Sequence, residues 1–395
     1  VASTAGDLKA RARQALERHR DRLVTLSHAI HARPELAFEE RFAVDQLTEV
    51  LSASGMAVER GICQLETAFS ARFGDGPLVV ALCAEYDALP EVGHACGHNI
   101  IGASSVGAAL ALAEVADELG VTVDVLGTPA EEGGGGKVLM LERGAFDDAH
   151  LAMMVHPWPN DRLSAACLAV SHFAVEFIGK EAHASAAPHE GINAADAMVV
   201  AQVALGLLRQ QLPPGDQVHG FVTEGGQAAN IIPARVRGRF MCRAPVVRDL
   251  ERLEPRVRRC FEAGALATGA RVSFETLSPV YSHMEPDWDL LAAYRANAEA
   301  LGRRFDDDDR GVALPTLSTD MANVSLQVPT IHPLIGIEAG GAVNHQPEFA
   351  SACTTPSADG ALLDGALALA WTAIDAATDP HLRSRLLERS GRRPQ

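Results

Sequence analysis

Residues 93–99, GHACGHN, place Cys96 and His98 two positions apart in a turn flanked by glycine. A thiol and an imidazole at that spacing are metal-ligand types. More of the same chemistry follows at Asp87, at the adjacent pair Glu131 and Glu132, at His156 and at the late His345 in GGAVNHQPEF. Each has an ordinary explanation when taken alone. A lone cysteine is more often a small buried hydrophobe, adjacent acids commonly open a helix, and a histidine before a proline can simply end a strand. Together they carry more weight, because Asp87, Cys96, His98, Glu131, Glu132 and His156 all fall where apolar runs end. Ligand sites of open α/β sheets collect at those carboxyl ends. A mixed thiolate, imidazole and carboxylate set suits zinc, with manganese or cobalt as alternatives. Paired glutamates fit a division of labour, in which one binds a cation. The other takes a proton from water that the cation has acidified.

Other chemistries fail on spacing. EEGGGGK contains Lys137 but lacks the leading glycine and the Ser/Thr of a phosphate-binding loop. HEGIN at 189–193 ends in Asn where a second zinc-binding histidine is needed, and neither GxSxG nor CxxC occurs. The net charge of −17, from 51 acidic and 34 basic residues, disfavours nucleic-acid partners. No run of 18 uninterrupted apolar residues predicts a membrane span. The start, VASTAGDLKARARQ, reads as a helix entry, not a signal peptide. Seven scattered cysteines predict reduced thiols and a cytoplasmic protein.

The elements that must position these residues alternate. Helices are expected over 7–31 and 40–55, then a strand in LVVALCAEYDALP and a long apolar helix in NIIGASSVGAALALAEVADELG. A strand in VTVDVLG runs into TPAEEGGGGK, and another, LAMMVHPWP, ends at His156. This order predicts an α/β domain with a mostly parallel sheet. From about residue 170 the order becomes β-α-β-β-α-β, the ferredoxin-like arrangement. Its first helix carries Val199, Val203 and Leu207 at i, i+4 and i+8, and its second carries Leu250, Leu253, Val257 and Phe261. The expected division is therefore 1–170 with 286–395, and an inserted domain at 171–285. The DDDD run at 306–309 reads as a solvated loop.

IHARPELAFEE, ALCAEYDALP, GHACGHN, GTPAEEGGGGK, GKEAHASAAPH, ANIIPA and NHQPEF, in that order, resemble the aminoacylase and glutamate-carboxypeptidase family of metallopeptidases, M20. STDMANVS at 318–325 is similar to its amidohydrolase branch, which includes bacterial p-aminobenzoyl-glutamate hydrolase and mammalian β-alanyl dipeptidase. The resemblance spans about residues 25–375. It implies a metal-dependent exopeptidase-like catalytic domain with an inserted ferredoxin-like α+β lid that forms a homodimer. It further implies two divalent metal ions per chain, held by Cys96, His98, Glu132, His156 and His345, with Cys96 as the bridge. Glu131 would be the general base and Asp87 an orienting acid. His183 would support the oxyanion across the dimer, and Asn230 and Arg243 would take the substrate carboxylate. The implied reaction is hydrolysis of a small N-acyl amino acid or dipeptide-like amide. An aminoacylase or carboxypeptidase of other preference, or a polypeptide active only with a paralogous partner, are the alternatives. Asn99 and Glu85 depart from the commoner pattern, which has Asp at both positions, and this bears on substrate preference.

Overall fold

The strand Leu78–Ala84 is buried at every position because its run of apolar residues has sheet neighbours on both edges and helices packed against it. In the computed structural model, which describes residues 3–305 and 316–388, it pairs in parallel with Val121–Gly127 and with Leu151–Met153. Thr330–Ile331 extends the parallel side. On the other side Phe69–Phe73 and Ala57–Arg60 add two antiparallel strands, so the six-stranded sheet is mixed. Those two are short, and Ala57–Arg60 is almost wholly exposed, which removes the alternation that marks a strand in sequence.

The chain divides into two compact units, Val1–Ala166 with Met284–Gln395, and Cys167–His283. In the first unit the helix His98–Ala113 is buried along nearly its whole length, packed on Ala5–Ala32 and Pro356–Thr378. Pro356–Thr378 is long and apolar enough to cross a membrane, but 83% of its most apolar window is buried inside the unit. It is a core helix. The expected strand ending at His156 is interrupted. Leu151–Met153 stops in the main sheet, and His156–Trp158 starts a separate strand that pairs in parallel with Leu334–Gly336. The DDDD run at 306–309 lies outside the described residues.

In the second unit a four-stranded antiparallel sheet has the order Gln217–Glu224, Arg235–Ala244, Ala169–Ile178, Arg271–Thr276. Helices Ala194–Arg209 and Val247–Thr268 pack on each other and on this sheet. The second helix buries Leu250, Leu253, Val257 and Phe261, as its spacing suggests. The first turns its valine stripe outward: Val199, Val203 and Leu207 are 56%, 59% and 71% exposed, while Ala194, Ala197, Met198, Ala201 and Leu205 are buried.

Candidate metal centre

The turn between Cys96 and His98 works because its middle residue is glycine. Gly97 has φ +75°, and a Cβ there would lie 2.8 Å from Pro157 Cγ, so no other residue fits without displacement. His98 then opens the helix His98–Ala113. Its Nδ1 bonds Asp87 Oδ1 at 3.0 Å, which fixes the ring and leaves Nε2 facing Glu132 Oε1 at 3.9 Å and Glu131 Oε2 at 4.0 Å. Cys96 Sγ lies 3.6 Å from His156 Nε2. His345 also has a left-handed backbone, φ +72°, its N–H donates to the Ala95 carbonyl, and its Nε2 sits 3.7 Å from Glu132 Oε2. The adjacent Asn344 donates from Nδ2 to the Pro157 carbonyl at 3.2 Å.

The donor atoms of Cys96, His98 and His156 lie within 4.8 Å of one another, as do those of Cys96, Glu132 and His345. Cys96 belongs to both groups. The donors also fit a cation by what they lack: His98 Nε2 and Glu132 Oε1 are buried without a hydrogen-bond partner. Such atoms are rare unless something else satisfies them. Burial, followed by Glu85, Glu132 and Asp320, pushes the Glu131 carboxyl well above its usual range. Burial and the nearby Glu132 push the Cys96 thiol up likewise. Burial, with His332 beside it, lowers His156 to about 3. For His98 burial acts downward, yet the facing Asp87 carboxylate prevails and raises it well above the ordinary imidazole value. A divalent cation inverts this logic, favouring the thiolate and the charged carboxylates.

Residues 81–360 match the model of peptidase family M20/M25/M40. The chain belongs to the M20 peptidases. It is 40% identical to the Xaa-Arg dipeptidase of Mus musculus over 389 residues, covering 95% of this chain and 90% of that protein. A p-aminobenzoyl-glutamate hydrolase polypeptide of Escherichia coli (strain K12) is 33% identical over 65% of this chain and 58% of its own. Among solved structures, a dinuclear metal-binding peptidase of the M20 family from Bacillus subtilis superposes with TM-score 0.68 at 22% identity. That match covers 91% of this chain and 98% of the other. The aminobenzoyl-glutamate utilization protein of Klebsiella pneumoniae also gives 0.68, at 17% identity over 93% and 98%.

In this M20 peptidase the sequence did not flag the ionic cluster beside the donors. Lys137 Nζ is fully buried, 2.6 Å from Glu85 Oε1 and 2.7 Å from Asp320 Oδ1. Burial alone would lower the Lys137 ammonium, but Asp320 and Glu85 hold it above its usual value. Glu85, Glu131 and Asp320 form a further close group of carboxylates, with Lys137 as the cation among them. His332, whose ring lies 5.4 Å from that of His156, is a second buried neighbour that spacing did not reveal. Asn99 points elsewhere, donating to Ser27 Oγ and the Cys353 carbonyl.

The second unit brings two of its three named residues together. His183 pairs with Ile231 in a short antiparallel ladder, and the Asn230 carbonyl accepts from Ala184 N–H at 3.0 Å. Both residues are exposed. His183 Nδ1 accepts from the Ser185 and Ala186 N–H groups at 3.3 and 3.2 Å, leaving Nε2 outward as a donor. Arg243 is half-buried at the opposite end of Arg235–Ala244, beside Val170 and Gln217.

Proposed function

We propose that this M20 peptidase hydrolyses the amide bond of dipeptide-like or small N-acyl amino-acid substrates, with Cys96, His98, Glu132, His156 and His345 holding two divalent ions. The observation that carries the reading is the pair of donor groups sharing Cys96, one with His98 and His156 and the other with Glu132 and His345. Glu131 is in neither, but lies in a third close group with His98 and Glu132, within reach of water held there. Bound there, divalent ions would acidify water and polarise a carbonyl, zinc being favoured by the thiolate and imidazoles, with manganese or cobalt as alternatives. Glu131 accepts the proton of the attacking water and delivers it to the leaving amine. Asp87 keeps the His98 Nδ1 proton engaged, so that Nε2 presents its lone pair. Match length favours a dipeptide over p-aminobenzoyl-glutamate, since the Xaa-Arg dipeptidase relation covers 95% of the chain and the hydrolase relation 65%. The net charge of −17 suits a cationic substrate better than an acidic one.

The second unit is, in this reading, a lid that dimerises. The exposed stripe Val199, Val203 and Leu207, with Phe221 on the edge strand Gln217–Glu224, supports a second copy as its cover. His183 pairs with Ile231, which precedes the strand Arg235–Ala244, and Arg243 lies near that strand's far end; Arg235 to Arg243 alone is eight residue steps, roughly 26 Å. A dipeptide backbone spans only about 7 Å. If His183, Asn230 and Arg243 all serve one substrate, they come from two chains. Cys63, Cys83, Cys96, Cys242, Cys260 and Cys353 are free thiols, in keeping with a reducing, cytoplasmic setting.

The test is a substrate panel assayed with zinc, manganese and cobalt on wild type and Glu131→Gln. Dipeptides ending in Arg or Lys should be cleaved ahead of p-aminobenzoyl-glutamate and N-acetyl amino acids. Glu131→Gln should lose at least about 10²-fold in turnover while keeping its metal. A variant that keeps turnover, or that loses its metal instead, contradicts the role given to Glu131.

A further inference from the structure

Ala130, the residue just before Glu131, has φ +59°, a left-handed conformation that costs any residue with a Cβ. Phe38 shares the feature, at φ +63°. The two are far apart in sequence, yet one atom holds both: Glu40 Oε1 accepts the Phe38 N–H and the Ala130 N–H, each at 2.9 Å. Glu40 is fully buried, and its Oε2 has no hydrogen-bond partner. Nothing in the proposed chemistry uses this carboxyl. Among the described residues it lies outside every close group of candidate ligands.

The turn around Ala130 is fixed on its other side as well. The Ala130 carbonyl accepts from Gly134 N–H and Gly135 N–H, at 3.0 and 2.9 Å. The Phe38 ring covers Gly134 so closely that a Cβ there would lie 2.4 Å from the ring. Strained backbone of this kind persists only where the surroundings hold it, and it clusters at sites where a side chain must be aimed. A single carboxyl oxygen here accepts from both strained residues at once.

We infer that Glu40 is a positioning residue, which clamps Ala130 in its left-handed conformation and so aims the Glu131 carboxylate. The inference rests on the reading of Glu131 as the base. Reach matters to this clamp, and charge does not. A Gln side chain places an acceptor oxygen at the same distance, whereas Asp keeps the charge and withdraws it by one methylene.

The experiment compares Glu40→Gln and Glu40→Asp in the metal-loaded protein, with Glu131→Gln alongside. Glu40→Gln should keep kcat within about threefold of wild type, and Glu40→Asp should lose about tenfold or more in kcat. KM and metal content should stay within about twofold in both, since the donor groups are untouched. Ala130→Gly added to Glu40→Asp should recover most of that loss, because glycine holds a positive φ without a clamp. Wild-type kcat in Glu40→Asp overturns the inference. So does a Gln variant as slow as the Asp variant, which would make Glu40 a charge effect. Should either variant fail to fold, Ala130→Val supplies the second measurement. A β-branched residue resists the left-handed conformation, so it should lower kcat with KM and metal retained, and unchanged kcat overturns the inference. If Glu131→Gln itself turns over substrate normally, the fault lies in the reading of Glu131 and not in Glu40.

Discussion

Lys137 and Asp320 are joined twice, through the ammonium to Oδ1 at 2.7 Å and through the Lys137 N–H to Oδ2 at 2.9 Å. One carboxylate thus ends the EEGGGGK turn and neutralises its lysine. Glu85 completes the cluster from the end of the strand Leu78–Ala84. With all three fully buried, the pairing cannot be relaxed by water.

Removing the cation should therefore cost more than an ordinary core change. Lys137→Met strips the buried Glu85 and Asp320 carboxylates of their shared ammonium, leaving Glu85 only His98 at 3.6 Å, a loss of about 3–5 kcal/mol. Lys137→Met with Asp320→Asn leaves one carboxylate fewer, and should regain part of that stability. Urea unfolding of the three proteins measures this. Equal midpoints for wild type and Lys137→Met would show that the cluster does not contribute as its geometry implies.

Cys96 belongs to both donor groups, so its loss should be felt by both ions. In the metal-free protein the thiol is protonated at neutral pH, because burial and Glu132 raise it. Metal binding must then expel that proton. Calorimetric titration of zinc into chelated protein, in buffers of different ionisation enthalpy, should show about one proton fewer released by Cys96→Ala. Elemental analysis should find fewer than two ions per chain in that variant. Two retained ions would make Cys96 a buried hydrophobe and not a bridge.

How much of this was legible depends on the range of each interaction. Asp87, Cys96, His98, Glu131 and Glu132 stand at the ends of apolar runs, and a one-dimensional pattern shows such ends. Lys137 and Asp320 are separated by 183 positions, and no local pattern links them. Lys137 is visible in the sequence only as a failed phosphate loop. Periodicity in Ala194–Arg209 shows a stripe but not which stripe is covered. The small face packs, because Gly264 approaches the Ala197 carbonyl so closely that a Cβ there would lie 2.2 Å away. The larger valines are left outside. His156 opens a new strand where the sequence pattern has one ending, since Pro157 permits strand pairing only at a margin.

His332 gives a pH dependence with a definite sign. Burial lowers its pKa from 6.5 to about 4, with Lys137 and His98 also acting downward and Glu85 opposing. A depressed folded value means that the unfolded chain takes up the proton first. The stability from neutral His332 is complete above pH 6.5 and is lost as pH falls from there toward 4. The loss between about pH 7.5 and 5 is on the order of 2 kcal/mol for this one group. His332→Gln cannot titrate, so its metal-free form should lose that much less over the same interval in urea melts. Identical acid losses in the two proteins would mean that His332 is solvated or already charged.

An exposed histidine such as His183 is ordinarily a surface residue, and nothing in its own strand pair requires an imidazole. Its Nδ1 is occupied by backbone N–H groups, which sets Nε2 as an outward donor of the kind an oxyanion needs. A donor of this sort contributes roughly 10²–10³ in turnover. If it acts across a dimer, each active site takes Glu131 from one chain and His183 from the other. Glu131→Gln and His183→Ala proteins, nearly inactive apart, would be unfolded and refolded together. In a mixed dimer one site carries both lesions and the other carries neither. Random pairing makes about half the dimers mixed, so about a quarter of wild-type activity per chain should return. The fraction of mixed dimers is read independently, from differently tagged chains. Should mixed dimers form and no activity return, His183 acts within its own chain or not at all, and the outward valine stripe needs another explanation.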